Sequence, residues 1–146
     1  MFLLDTNVIS ELRKAADGRA DGQVLAWLSG VDAGEFYLSV ITLMEIETGI
    51  LRMERRDPVQ GDRLRAWMDT RIRPEFADRI LPIDKAVALR CALLHVPNPV
   101  AERDALIAAT ALVHGMTIVT RNMADFARTG VSLVNPWEGS ASAGRR

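Results

Sequence analysis

The fold class predicted by this sequence is α/β, a parallel sheet covered by helices on both faces, and three observations predict it. Short apolar, β-branched or aromatic runs alternate along the whole chain with segments of helical periodicity. The first run, Phe2-Leu3-Leu4, is continuously apolar, as in a strand buried on both faces, and it ends abruptly in Asp5-Thr6-Asn7. Proline and glycine punctuate the boundaries, at Asp57-Pro58, Pro97-Asn98-Pro99, Gly115 and Gly130.

In chain order, residues 2–4 form the first strand. Residues 7–14 and 22–28 carry Val8, Ile9, Leu12, Val24, Leu25 and Leu28 at helical spacing, separated by a polar, glycine-containing stretch. Phe36-Tyr37-Leu38-Ser39-Val40 is the second strand. Thr42 is placed to cap the next helix, and Thr42-Leu43-Met44-Glu45 fits a capping box in which Glu45 reaches back to the helix start. That helix runs to about Arg56, and a further one spans residues 59–72. Ile80-Leu81-Pro82-Ile83 is a short third strand whose proline suits a strand end or a sheet edge. In the helix over 86–95, Ile83, Val87, Cys91 and Leu94 share one face, which makes Cys91 a core residue. An alanine-rich helix over 101–114 stops at Gly115, and residues 116–120 form the fourth strand. A helical turn holding Asp125 and Phe126, a fifth strand over 131–134 and the closing Asn135-Pro136-Trp137 complete the pattern. The Gly/Ala/Ser-rich residues 139–146 read as a disordered tail.

The bulk numbers bound the answer. With 146 residues, 49% of them hydrophobic and 25% charged, the chain suits one folded domain rather than a disordered segment. A formal net charge of -1 supplies no global positive field, so a nucleic-acid partner would be held by a local basic face or by metal ions. Arginines concentrate between Arg52 and Arg79, where they are either phosphate contacts or, with their interleaved acids, a solvated helix face. A single cysteine excludes an intrachain disulfide, and neither a signal-peptide core nor a membrane-length apolar run is present; the expectation is a soluble cytoplasmic protein with no membrane association.

The chemistry is expected at Asp5. Ligands of open α/β sheets gather beyond the carboxyl ends of the strands, where an acid following Phe2-Leu3-Leu4 must lie, although an aspartate there also caps the helix that follows. Three more acids can reach the same rim. Glu45 begins the helix after strand two, Asp125 follows strand four, and Asp104 lies in the first turns of a helix that returns antiparallel from the rim. Each has a structural alternative as a helix-terminus charge or a cap. Together, four carboxylates on one edge repel one another unless cations neutralise them, and that points to divalent metal. Glu102 is the reserve for Asp104. Glu47, about 200° around the helix from Glu45, is expected to face solvent. His95 and His114 end helices and read as structural, and Trp27, Trp67 and Trp137 read as core or interface anchors.

Several stretches, taken together, resemble one family. They are Leu4-Asp5-Thr6-Asn7-Val8-Ile9-Ser10-Glu11-Leu12, Ser39-Val40-Ile41-Thr42-Leu43-Met44-Glu45 with Gly49, Asp104-Ala105-Leu106-Ile107-Ala108-Ala109-Thr110-Ala111, Val119-Thr120-Arg121-Asn122-Met123-Ala124-Asp125-Phe126, and Asn135-Pro136-Trp137. In that order they resemble the PIN-domain ribonucleases, and within them the VapC/FitB-like toxins of type II toxin-antitoxin systems. The resemblance implies a three-layer α/β/α PIN-like domain over residues 1–138, with a five-stranded parallel sheet ordered 3-2-1-4-5. It implies active-site acids at Asp5, Glu45, Asp104 and Asp125, with Asp5 and Asp104 the most direct ligands of Mg²⁺ or Mn²⁺, and with Thr6, Thr120 and Asn122 as supporting polar groups. The implied activity is endoribonucleolytic hydrolysis of RNA phosphodiester bonds, with tRNA as one candidate substrate, leaving a 5′-phosphate and a 3′-hydroxyl. The implied partners are a VapB/FitA-like antitoxin, a second copy of the chain, and operator DNA through the antitoxin only. A non-catalytic module of the same fold, acting with an antitoxin on DNA, is the alternative. A phosphoryl-accepting receiver or a dehalogenase-like phosphatase also places an acid after strand one. Asn7 stands where the latter needs a second aspartate, and the former lacks its paired acid and its lysine.

Overall fold

In the computed structural model, which describes residues 1–138, five parallel strands stand in the order β3-β2-β1-β4-β5. They are β1 (Phe2–Leu4), β2 (Phe36–Ser39), β3 (Ile80–Leu81), β4 (Thr117–Val119) and β5 (Leu133–Val134). The central strand pairs on both sides, Leu3 lying opposite Tyr37 of β2 and Ile118 of β4. Leu3 and Leu4 are both fully buried and point to opposite faces, each joining a different hydrophobic cluster. That explains the unbroken apolar run: β1 has no solvent side, and burying each leucine contributes roughly 1.5–3 kcal/mol.

One face of the sheet is covered by α1 (Thr6–Ala16), α2 (Gly22–Ser29), α3 (Val40–Arg56) and α4 (Pro58–Trp67). The short helix α5 (Arg73–Glu75), between Ile72 and Phe76 of the same cluster, belongs to that face, and the other is covered by α6 (Lys85–Leu94), α7 (Glu102–His114) and α8 (Met123–Phe126). Helix α7 packs through Ala105, Ala108, Ala109 and Ala111, all fully buried, and Gly115 ends it in the left-handed conformation with φ 67°. Among the described residues no helix is long and apolar enough to cross a membrane.

Three expectations are corrected. Helix α3 begins at Val40, not after Thr42: Ser39 is its cap and accepts Ile41 N–H, so there is no capping box, and the buried Thr42 hydroxyl has no hydrogen-bond partner among the described residues. The β-branched Val40-Ile41 pair mimicked strand there. The helix expected over 59–72 is α4 followed by a π-helical stretch, Met68–Ile72, which leads into α5 with Pro74 in its first turn. Glu47 does not face open solvent. It accepts two hydrogen bonds, 2.8 and 2.7 Å, from Arg65 of α4, whose other edge bonds Glu54. This seam is tight enough that a Cβ on Gly61 would lie 2.5 Å from Glu54 Cα. Within the stretch from Arg52 to Arg79, Arg65 is committed to the seam, and Arg79 bonds the Ala33, Phe36 and Glu75 carbonyls and lies over the Phe76 ring.

Cys91 is buried as expected. The tryptophans are half-buried rather than buried: Trp27 packs edge-on against Phe2, and Trp137 carries Arg121 over its ring. The tail over 139–146, expected to be disordered, lies outside the described residues.

Candidate functional site

Beyond the carboxyl ends of β1 and β4, where the strand order reverses, Asp5 leaves β1 and starts α1. It is 6% exposed, and each of its oxygens is held. Oδ1 accepts the backbone N–H of Thr6 at 2.8 Å, the capping bond. Oδ2 accepts the hydroxyl of the fully buried Thr120 at 2.8 Å and the side-chain amide of Asn7 at 3.4 Å. Thr120 is fixed in turn by Asn122 N–H at 3.0 Å, and Asn7 Oδ1 accepts Arg121 N–H. The loop after β4 is thereby tied to the carboxylate that ends β1. Capping and site-building are the same contact network.

Glu45 lies in the second turn of α3, half-buried, with Oε1 accepting the Thr6 hydroxyl. Asp104 is in the first turn of α7 and Asp125 in α8. Their fields reach one another. Burial first, and then Asp125, Asp5 and Glu45, push the Asp104 carboxyl up to about 6. Burial raises Asp5 as well, the Thr120 and Thr6 hydrogen bonds partly offset this, and Glu45 and Asp125 add to the rise. Such raised values are expected of carboxylates that face one another without enough compensating charge.

The predicted acids thus influence one another electrostatically at one rim, without standing at the metal-bridging distance expected of a closed cluster. They form an open ring rather than a closed cage: among the described residues, no three of them bring their oxygens within 4.8 Å of one another. A donor set made only of carboxylate oxygens, with neighbouring hydroxyls, suits a hard divalent cation such as Mg²⁺ or Mn²⁺, which keeps several waters. Glu102, the reserve candidate, points instead toward Cys91 and His95.

That second cluster has the look of a metal site, with donor atoms of Cys91, His95 and Glu102 all within 4.8 Å. Its hydrogen bonding opposes one. Val100 N–H donates to His95 Nδ1 at 3.1 Å, which leaves the ring proton on Nε2, 3.7 Å from Cys91 Sγ. The nitrogen facing the cluster thus carries a hydrogen where a ligand needs a lone pair. His95 is structural, as expected, and fastens the end of α6 to the segment entering α7.

Sequence reasoning assigned supporting roles to Thr6, Thr120 and Asn122. The first two act through their hydroxyls, whereas Asn122 contributes its backbone N–H. It missed Asn7 and Arg103. Asn7 was legible only as a polar residue two positions after Asp5. Arg103, which stands 3.5 Å from Glu45, lies between two acids in the sequence, and nothing in that order tells which one it faces.

Comparison with known proteins gives one consistent answer. Residues 2–131 match the PIN domain family model. The chain is 37% identical over 145 residues to VapC ribonuclease Y4jK of Sinorhizobium fredii, covering 94% of this chain and 99% of that protein. It is 39% identical, with the same coverage, to toxin FitB of Neisseria gonorrhoeae. Among solved structures, the FitAcB crystal structure from Neisseria gonorrhoeae superposes with a TM-score of 0.85 at 35% identity, over 94% of this chain and 99% of that one.

Proposed function

Because this chain belongs to the PIN-domain family, we propose that it is the ribonuclease toxin of a toxin-antitoxin pair, hydrolysing RNA phosphodiester bonds with Mg²⁺ or Mn²⁺ held by Asp5, Glu45, Asp104 and Asp125. The observation that carries this reading is the rim itself: four acids from four separate elements act on one another electrostatically, and two of them, buried there, are displaced upward in pKa. A fold that maintains such repulsion does so for function, since structural carboxylates are ordinarily paired.

When bound, the metal would lower the pKa of a water and offset the charge gathering on the scissile phosphate and the leaving 3′ oxygen. The residues of this chain prepare for that. Asp5 is presented on a strand buried on both faces, with Thr6 N–H and the Thr120 hydroxyl fixing its oxygens, so it is oriented before any ligand arrives. The Thr6 hydroxyl orients Glu45. Asp104, half-exposed and ionised above about pH 6, is the acid most readily recruited from solvent.

Inhibition by an antitoxin is supported by a cleft of about 970 Å³ between α1, α2 and the α4 to α5 region, lined by Leu12, Leu25, Leu28, Trp67 and Phe76. Trp67 also lines a smaller groove containing Thr6, Arg13 and Glu45. An apolar antitoxin segment seated in the cleft could therefore extend a basic side chain to the acids. The relatives of solved structure are toxin-antitoxin complexes, among them FitAB bound to a DNA fragment, and we assign this chain the same role, with DNA contacted through the antitoxin.

The test is cleavage of total cellular RNA by the purified protein with Mn²⁺ or Mg²⁺, against an EDTA control, with the cleaved ends mapped. Metal-dependent products bearing 5′-phosphates are expected. No cleavage with any divalent ion, together with retained antitoxin binding, would overturn the enzymatic reading in favour of a binding module.

A further inference from the structure

Among the described residues, Arg103 is the one arginine or lysine that forms an ion pair with any of the four acids. Its Nη1 lies 3.5 Å from Glu45 Oε2, with the arginine side chain 54% exposed and the glutamate 24%. The contact is long, single and open to water, unlike the two-pronged grip of Arg65 on Glu47. Exposed pairs of this kind shift an equilibrium by about fivefold or less. Arg103 is therefore near enough to compensate Glu45 and too weakly held to stay once a divalent cation arrives. Its position in the chain limits where it can then go. It immediately precedes Asp104 in the first turn of α7 and its side chain is half exposed, so the freed guanidinium stays beside the acids with access to solvent. A guanidinium is also the group best shaped to bond two oxygens of a phosphate.

From this arrangement we infer that Arg103 exchanges partners during the reaction cycle: it is the internal counter-ion of Glu45 in the metal-free protein and a phosphate-positioning residue for RNA in the metal-loaded one. The inference rests on the nuclease reading and gives it a directional consequence. Metal and Arg103 compete for Glu45, while metal and RNA cooperate through Arg103, since the cation frees the side chain that RNA needs. The same residue should thus weaken metal binding and strengthen substrate binding, which a merely structural surface arginine would not do.

The experiment compares wild type, Arg103→Ala and Arg103→Lys. Mn²⁺ is titrated alone by calorimetry, and apparent KM and kcat are measured on total RNA across a salt series. In Arg103→Ala, the Kd for Mn²⁺ should tighten about threefold, since the lost pair is worth about fivefold or less. Apparent KM should rise about tenfold with kcat within about twofold, and the salt dependence should lose about one charge. Arg103→Lys should recover much of KM, as it retains charge without the planar fork. Unchanged or weakened Mn²⁺ binding in Arg103→Ala would overturn the counter-ion role, and a kcat loss at unchanged KM would overturn the positioning role. Wild-type protein that neither binds Mn²⁺ nor cleaves RNA is a different failure, that of the nuclease reading. A melting curve on each variant separates these outcomes from unfolding, which the exposure of Arg103 makes improbable.

Discussion

Glu45 and Glu47 sit two residues apart on the same helix and live in opposite electrostatic worlds. Glu47, with Glu54, closes on Arg65 across the seam between α3 and α4; this bonding holds the Glu47 carboxyl below the ordinary glutamate range. Glu45 adds to the upward push on Asp5 and Asp104, with the Thr6 hydroxyl and a single, solvent-open contact from Arg103 for relief. A carboxylate whose charge is answered stabilises a contact between helices, whereas unanswered ones are what a cation binds. The same contrast separates the acid rim from the Cys91, His95 and Glu102 cluster, where proximity exists but the available proton is already placed.

The contrast can be broken from the starved side first. Asp5→Asn removes a charged ligand while keeping bulk and the oxygen that accepts Thr6 N–H. RNA cleavage should fall by more than the roughly 100-fold typical of changes behind a metal ligand, with melting temperature held or raised because a repelled, buried charge is gone. Wild-type turnover would reject Asp5 as a ligand. Thr120→Val, which deletes only the hydroxyl behind Asp5 Oδ2, should cost about 10- to 100-fold in activity or in Mn²⁺ affinity.

On the compensated side the effects are on stability alone. Gly61→Ala would push a methyl into Glu54 Cα and should destabilise by about 1–3 kcal/mol in chemical denaturation, leaving Mn²⁺ affinity untouched. If α3 and α4 separated without loss of stability, the seam would be less rigid than its geometry implies. Arg65→Met, which strands Glu47 and Glu54, should lower the melting temperature by several degrees with no effect on cleavage per folded molecule.

The smallest effect sharpens the contrast through pH. Asp104 titrates near 6 in the fold and near 3.8 when unperturbed, so between those values the native state holds the extra proton. Its contribution to stability is full at low pH and is lost as pH rises through about 6. In EDTA, wild type should therefore lose melting temperature between about pH 4 and pH 6 relative to Asp104→Asn, and saturating Mn²⁺ should reverse the loss, by about 2.7 kcal/mol at 100 times Kd. Equal pH slopes for the two proteins would show that the rim is not under repulsion.

How much of this was legible in the sequence follows from the kind of information each feature needs. Strand β1 and helix α7 could be read because their patterns are local: an unbroken apolar run for a doubly buried strand, and alanine with a terminal Gly115 for a close-packed helix. The strand order came from resemblance, which the observed β3-β2-β1-β4-β5 order bears out. Asp5 could be read because a strand end fixes where a side chain goes. The partner of an acid on a helix could not, since Glu47 meets Arg65 eighteen residues later and Arg103 meets Glu45 across the fold. Thr42 failed for the opposite reason: a local capping rule was satisfied on paper by a residue that the preceding Ser39 made redundant.

The sheet has one more consequence, for how this molecule can associate. Its outer strands, β3 and β5, are two residues long, and Pro82 directly follows β3. An edge that short offers no run of free N–H and C=O groups for a visiting chain to extend, which protects against the strand-to-strand aggregation that a flat parallel sheet invites. Assembly with any other polypeptide is thereby left to the helical faces, where Leu89 and Leu93 of α6 and Val96 just beyond it lie exposed.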